Sequence, residues 1–177
     1  MALFLEGANI PYELIAVDTR KGDQHKPEFV AINPNAKTQA IVDGDVRVFD
    51  SNAIMSQAVH FKHFAPEPKE YAVDRYDFEA WRHWKIINEH VATRPYMVGG
   101  AYSIADMSVW GWARVIPFVL GATAFEQLPH VKRLLDEINA RPAAQKAEAI
   151  KTQHAFKTEV DEDARKNLFP SNARLKS

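Results

Sequence analysis

Asp45-Val46-Arg47-Val48-Phe49-Asp50-Ser51-Asn52-Ala53-Ile54 is the stretch that decides how the rest of this chain is read. The run Val46–Phe49 alternates in the period of a half-buried strand. Asp50 and Ser51 follow where a helix begins, and the first turn of a helix leaves its amides unpaired, so short polar side chains there act as caps. That end also carries partial positive charge, so the same Asp-Ser pair could hold the carboxylate and amine of a small amino-acid-like ligand. On local sequence alone an Asp or Ser before a helix is more often only a cap, so the pair takes its meaning from what flanks it.

Upstream, residues 39–42 and 46–49 read as two short strands joined at Asp43-Gly44, a strong hairpin signal. Before them Asn33-Pro34-Asn35 breaks a short helix over 27–32 that has Pro27 in its first turn. Gly22-Asp23-Gln24 is a turn, residues 12–17 have strand character, and residues 1–9 read as the last turns of an apolar helix. The order is helix, strand, helix, hairpin, helix.

Downstream the character is helical. Pro66 and Pro68 precede a long helix over 69–93, where Tyr76, Ala80, Trp84, Ile87 and Val91 form a core-facing stripe that Trp81 and Phe78 widen. Ser103 and Asp106 stand three apart at the start of an apolar helix, as a capping box with Asp at its second position. The apolar run 109–125 contains Arg114 and Pro117 and is expected to be a buried core helix rather than a membrane span. A further amphipathic helix from Pro129 sets Val131, Leu134, Leu135 and Ile138 on one face, and an Ala-rich helix runs to about Lys151. The remaining tail is charged and weakly patterned, expected to dock loosely or stay disordered.

Composition narrows the function. The 177 residues carry a net charge of -1, which speaks against nucleic acid as a partner, because phosphate binding needs a basic face. With no cysteine the chain has no disulfide, thiolate metal site or Cys-x-x-Cys pair of its own, consistent with a cytoplasmic location. The N-terminus lacks the basic region of a signal peptide. His60 and His63 lie three apart and His83 and His90 seven apart, without a third ligand at metal spacing, so no metal is expected.

Asn33-Pro34-Asn35-Ala36-Lys37 before the hairpin, Phe49-Asp50-Ser51 after it, and Tyr102-Ser103-Ile104-Ala105-Asp106-Met107 in the helical half together resemble the glutathione transferase superfamily. Val59-His60-Phe61-Lys62-His63-Phe64-Ala65-Pro66, followed by Tyr71-Ala72-Val73-Asp74-Arg75-Tyr76, is similar to the bacterial Nu class, which includes glutathione-dependent disulfide-bond oxidoreductases. The resemblance implies an α+β protein: a thioredoxin-like glutathione-binding domain over residues 1–55, an all-helical domain over 56–151, and a charged tail over 152–177. It also implies glutathione as co-substrate, a small electrophile or a disulfide as second substrate, and usually a homodimer. On the matching positions, Asp50 and Ser51 would hold the γ-glutamyl end and Thr38 would pair its backbone with the cysteinyl part. Gln24, Lys37, Gln57 and His60 would make further contacts.

The chain departs from that pattern three times. The family's opening strand and the loop that steadies the glutathione thiolate are absent, so no catalytic residue is assigned; Thr19, the nearest hydroxyl, follows the wrong strand. Gln39 stands where the family has a proline, usually cis. The helix opening at Ser51 passes almost directly into the 57–66 segment, as though an internal stretch containing the usual dimer helix were missing. A misplaced start at Met1 would account for the first departure and not for the last. Alternatives to an enzyme are a non-catalytic binding or interaction module of the same fold, or a fragment that does not fold stably.

Overall fold

The computed structural model describes the chain apart from residues 1, 34, 35, 37, 39, 44, 45, 50–52, 68, 99, 171 and 173–177, and only the backbone of 41–43, 46–49 and 53–54. It divides into two compact units, Met1–Tyr12 with Ala53–Gln153, and Glu13–Asn52 with His154–Ser177.

The first unit is helical. Its longest element, α4 (Glu70–His90), buries Ala80 and Trp84, with Val91 just beyond its end and Tyr76 and Ile87 packed at the margin of the core, so the stripe read from the sequence is the buried one. Phe78 is a correction: it is 64% exposed and does not widen the core face as Trp81 does. The helix α7 (Pro129–Asn139) turns Val131, Leu134, Leu135 and Ile138 inward as its 3.6-residue period dictates.

The run 109–125 does not form one helix. The helix α5 (Ile104–Ala113) stops and α6 (Ile116–Leu120) begins with Pro117 in its first turn. A proline inside a continuous helix would remove an amide and clash with the carbonyl four residues back, whereas in a first turn it costs nothing. The capping box at the start of α5 is present: Asp106, fully buried, accepts the Ser103 N–H at 2.8 Å and the Ser103 hydroxyl at 3.0 Å. It also accepts the Met97 N–H at 2.8 Å, which ties the loop before α5 to the helix.

Helix α1 (Ala2–Gly7) joins this unit, although the sequence grouped it with the strands. Leu3 is 2% exposed in the helical core, α1 packs along α8 (Pro142–Ala149), and Glu6 pairs with Lys146 at 3.5 Å. The helix α3 (Ala53–Val59) continues without interruption into a π-helical turn, His60–Phe64, closed by the Ala65 N–H on the His60 carbonyl. The expected direct passage from the helix after the hairpin into the 57–66 segment is therefore seen.

In the second unit, β1 (Ala40–Asp43) and β2 (Val46–Phe49) pair antiparallel with Ala40 opposite Phe49 and Asp43 opposite Val46. The first strand runs one residue further along than the expected 39–42, and Gln39 lies outside the described residues. Residues 13–17 form no strand; Leu14 and Ile15 are 41% and 71% exposed. Strand-favouring residues make a strand only where a ladder receives their amides and carbonyls, and the described residues offer 12–17 none. The short helix α2 (Pro27–Val30) forms as its leading proline predicts.

The tail, too, differs from the expectation of a loose or disordered segment. Helix α9 (Glu162–Leu168) is capped by Asp161, which accepts the Ala164 N–H at 2.9 Å, and Ala164 is fully buried. Acidic residues in its first turn and Arg165 and Lys166 in its last suit the helix dipole, a signal the weak apolar pattern obscured.

Candidate functional site

Gln24 owes its position to Gly22. The backbone at Gly22 has φ 87, a left-handed conformation that glycine adopts without strain, and it opens a single 3-10 turn over Asp23–His25. The turn sends the Gln24 side chain inward, where it is 3% exposed. Its amide nitrogen donates to the Asn167 carbonyl of α9 at 2.8 Å, and the same carbonyl lies 2.8 Å from His25 Nε2. Gln24 Oε1 is buried without a hydrogen-bond partner among the described residues.

The loop around this turn is bound to the tail along its length. Asp18 accepts the Lys157 N–H at 2.8 Å and the Arg20 N–H at 3.1 Å; Arg20 donates to the Lys157 carbonyl at 3.1 Å. Asn167 Nδ2 donates to the Arg20 carbonyl at 3.1 Å. Burial pushes the Asp18 carboxyl up, but the amides of Lys157, Arg20 and Lys21 and the Lys21 ammonium outweigh it and hold the group below its ordinary range. Sequence reasoning missed Lys157 and Asn167 because their partners are about 140 residues away.

Thr38 is exposed in the bend before β1. In the other unit, Gln57 is exposed on α3, and His60 opens the π-helical turn, half-buried, its ring edge-on to Phe61 with centroids 5.2 Å apart. Burial pushes the His60 imidazole below its usual pKa, favouring the neutral form. Gln24 and Thr38 thus belong to one unit and Gln57 and His60 to the other. Lys37, Asp50 and Ser51 lie outside the described residues.

The turn that starts at His60 has a structural use of its own. Lys62 Nζ donates to Asp77 on α4 at 2.5 Å and to the Val119 carbonyl at 2.7 Å, and His63 stacks on Phe118 with its Nε2 3.1 Å from the Phe118 carbonyl. Two of the last carbonyls of α6 are thereby satisfied by cationic or imidazole groups. His83 and His90 likewise face backbone carbonyls, of Glu79 and Met97. Among the described residues no three His, Asp or Glu side chains gather at metal spacing.

The sequence profile of the "Glutathione S-transferase, N-terminal domain" family matches residues 1–56, and that of the "Glutathione S-transferase, C-terminal domain" family matches residues 51–142. The disulfide-bond oxidoreductase YfcG of Escherichia coli is 30% identical over 190 residues, covering 83% of this chain and 87% of the relative.

The chain belongs to the glutathione S-transferase family.

A second relative, the disulfide-bond oxidoreductase YghU of Escherichia coli, is 28% identical and covers 85% of this chain and 67% of its own length. Among solved structures, glutathione transferase URE2P8 from Phanerochaete chrysosporium, with oxidized glutathione, superposes with a TM-score of 0.77. It is 24% identical and covers 86% of this chain and 88% of that one, so the fold is that of the family, a thioredoxin-like half followed by a helical half. A glutathione transferase from Burkholderia graminis with two glutathione molecules per subunit reaches a TM-score of 0.74 at 23% identity, covering 86% and 83% of the two chains. The YfcG alignment runs over 190 positions, more than the 177 residues of this chain, so that relative carries residues this family member lacks.

Proposed function

We propose that this chain binds glutathione and uses its thiol either to reduce disulfides or to conjugate a small electrophile. The observation that carries the reading is the match of both family halves, together with 30% identity to a disulfide-bond oxidoreductase along 83% of the chain. The absence of cysteine fits it, since glutathione supplies the sulfur. In the disulfide reaction a glutathione thiolate attacks one sulfur of the substrate, a mixed disulfide forms and the other sulfur leaves as a thiolate. A second glutathione then attacks the mixed disulfide, releasing the reduced substrate and oxidized glutathione. That solved neighbours hold oxidized glutathione, or two glutathione molecules per subunit, is in keeping with such a sequence. In conjugation the thiolate attacks an electrophilic carbon and a thioether is made.

In this reading Asp50 and Ser51 hold the γ-glutamyl end, with Gln24, Lys37, Thr38, Gln57 and His60 as further contacts. Residues 1–55 act as a shortened thioredoxin-like domain, 56–151 as the helical domain and 152–177 as the tail; a cytoplasmic location and a homodimer go with the family. The two-stranded sheet, the strandless 13–17 segment and the longer alignment with YfcG support the shortening. A non-catalytic binding or interaction module of the same fold is the second reading, favoured by one observation: Gln24, which the resemblance would place on glutathione, is 3% exposed with its amide donated to the Asn167 carbonyl.

The experiment is thermal unfolding of the chain during titration with reduced glutathione, followed by a disulfide-reduction assay. Selective binding to the folded state adds about 2.7 kcal/mol at a hundredfold excess over Kd. A melt that climbs with glutathione, and climbs less in Asp50→Ala, supports the site, and turnover then separates enzyme from module. A cooperative melt indifferent to glutathione rejects the enzyme and favours the interaction module.

A further inference from the structure

Two donors of one turn converge on a single oxygen of the tail. Gln24 Nε2 and His25 Nε2 each stand 2.8 Å from the Asn167 carbonyl oxygen of α9. A carbonyl oxygen only accepts, so both nitrogens present a hydrogen to it. Adjacent side-chain donors aimed at one point are what a ligand carboxylate oxygen needs, and it would satisfy them more strongly than a neutral carbonyl does. Here the chain's own backbone fills that point. Gln24 is buried beneath α9, so nothing from solvent reaches its amide while the helix stays in place. The closed arrangement also has a cost of its own: Gln24 Oε1 is buried with no hydrogen-bond partner among the described residues.

The tail is held down by polar contacts more than by apolar burial. Its other fasteners are the Lys157 N–H on Asp18, the Lys157 carbonyl on Arg20, and Asn167 Nδ2 on the Arg20 carbonyl. Of residues 154–170 only Ala164 is fully buried. Hydrogen bonds of this kind exchange for bonds to water at small net cost, and a segment with so little buried apolar surface opens locally before the rest unfolds.

We propose that residues 154–168 form an autoinhibitory strap, in which the Asn167 carbonyl occupies the place of a ligand carboxylate oxygen on Gln24 and His25 until a carboxylate of glutathione displaces it. The inference rests on the glutathione reading, and adds to it His25 as a second donor and the tail as a competitor. Only molecules with the strap open bind, so the apparent Kd is the intrinsic one divided by the open fraction. Linkage makes the effect reciprocal: a strap that weakens glutathione binding is loosened by glutathione to the same degree.

Isothermal titration of reduced glutathione into the full chain tests it, with two variants that unseat the strap without altering Gln24 or His25. Ala164→Glu puts a charge where a methyl group is fully buried, and Asp161→Ala removes the cap of α9. A strap closed in about nine molecules of ten makes Ala164→Glu bind about tenfold more tightly than wild type, with a smaller gain for Asp161→Ala. Adding Gln24→Ala or His25→Ala to Ala164→Glu cancels the gain. Hydrogen exchange on the wild-type chain supplies a reading that needs no variant. Saturating glutathione speeds exchange of the Lys157 and Ala164 amides, which Asp18 and Asp161 hold in the closed form. Where a variant fails to melt cooperatively, the exchange measurement alone decides. Equal affinities in the three chains, or tail amides that glutathione leaves unchanged or protects, overturn the strap while the glutathione reading stands. So does a gain that survives Gln24→Ala. No binding to any of the chains rejects the glutathione reading, and the strap with it.

Discussion

The Asn88 side-chain oxygen of α4 accepts the backbone N–H of His130 at 2.9 Å and, with it, that of Val131 at 3.1 Å. These are orphan donors at the start of α7, whose own N-cap residue, Leu128, has no side chain able to accept them. One helix thus caps the next across the core. Asn88→Ala leaves two partly buried amides unpaired and is expected to cost about 1–2 kcal/mol. Asn88→Asp, which keeps the acceptor, recovers most of that, and urea unfolding of the three proteins measures it.

Asp106 is the larger risk. It is fully buried and accepts three hydrogen bonds, from the Met97 and Ser103 amides and the Ser103 hydroxyl. Asp106→Ala strands those donors inside the unit, with an expected loss of about 3 kcal/mol or more. Ser103→Ala removes only the hydroxyl's share and is expected to cost about 1 kcal/mol. Equal losses in the two variants would contradict the view that the carboxylate holds the loop as well as the cap.

Gly22 fixes the turn that carries Gln24. An added Cβ would meet the Asn167 side-chain oxygen at 2.8 Å, and the φ of 87 is itself unfavourable for alanine. Gly22→Ala is expected to destabilise by about 1–2 kcal/mol. Combined with Asn167→Ala, it should cost less than the two single changes added, because the collision disappears. Strict additivity in chemical unfolding would show that α9 does not press on the turn.

Asp18 gives the contact between loop and tail a pH dependence. Its pKa is lowered in the folded protein, from an ordinary 3.8, so its ionised form stabilises the fold above that value and the contribution is lost as pH falls through the lower native value. Against Asp18→Asn, the wild type should hold its largest advantage at neutral pH and lose it progressively below about pH 4. Urea midpoints for both proteins across that range test this, and a difference that stays constant with pH excludes it.

The helical half was the legible half. The stripe on α4, the inward face of α7 and the capping box at Ser103 and Asp106 are periodic or local signals, and each appears in the structure where the residues put it. The candidate site was less so. Gln24 was singled out by resemblance, but its engagement by the Asn167 carbonyl joins residues 143 apart and leaves no local trace. Residues 12–17 have strand character, yet 13–17 form no strand.

By itself, then, the sequence determined what depends on neighbours three or four residues away: helix faces, first turns and stops. It also determined, through motifs spread along the chain, the glutathione S-transferase family. Only the tertiary structure decided which groups close the remaining open ends. Asn88 caps α7, Lys62 and His63 take carbonyls of α6, and Lys157 and Asn167 fasten the loop from Asp18 to His25. The physical reason is common to all three. Backbone donors and acceptors at the ends of short helices must find partners, and the partner is whichever side chain or carbonyl the packing of distant segments brings within about 3 Å.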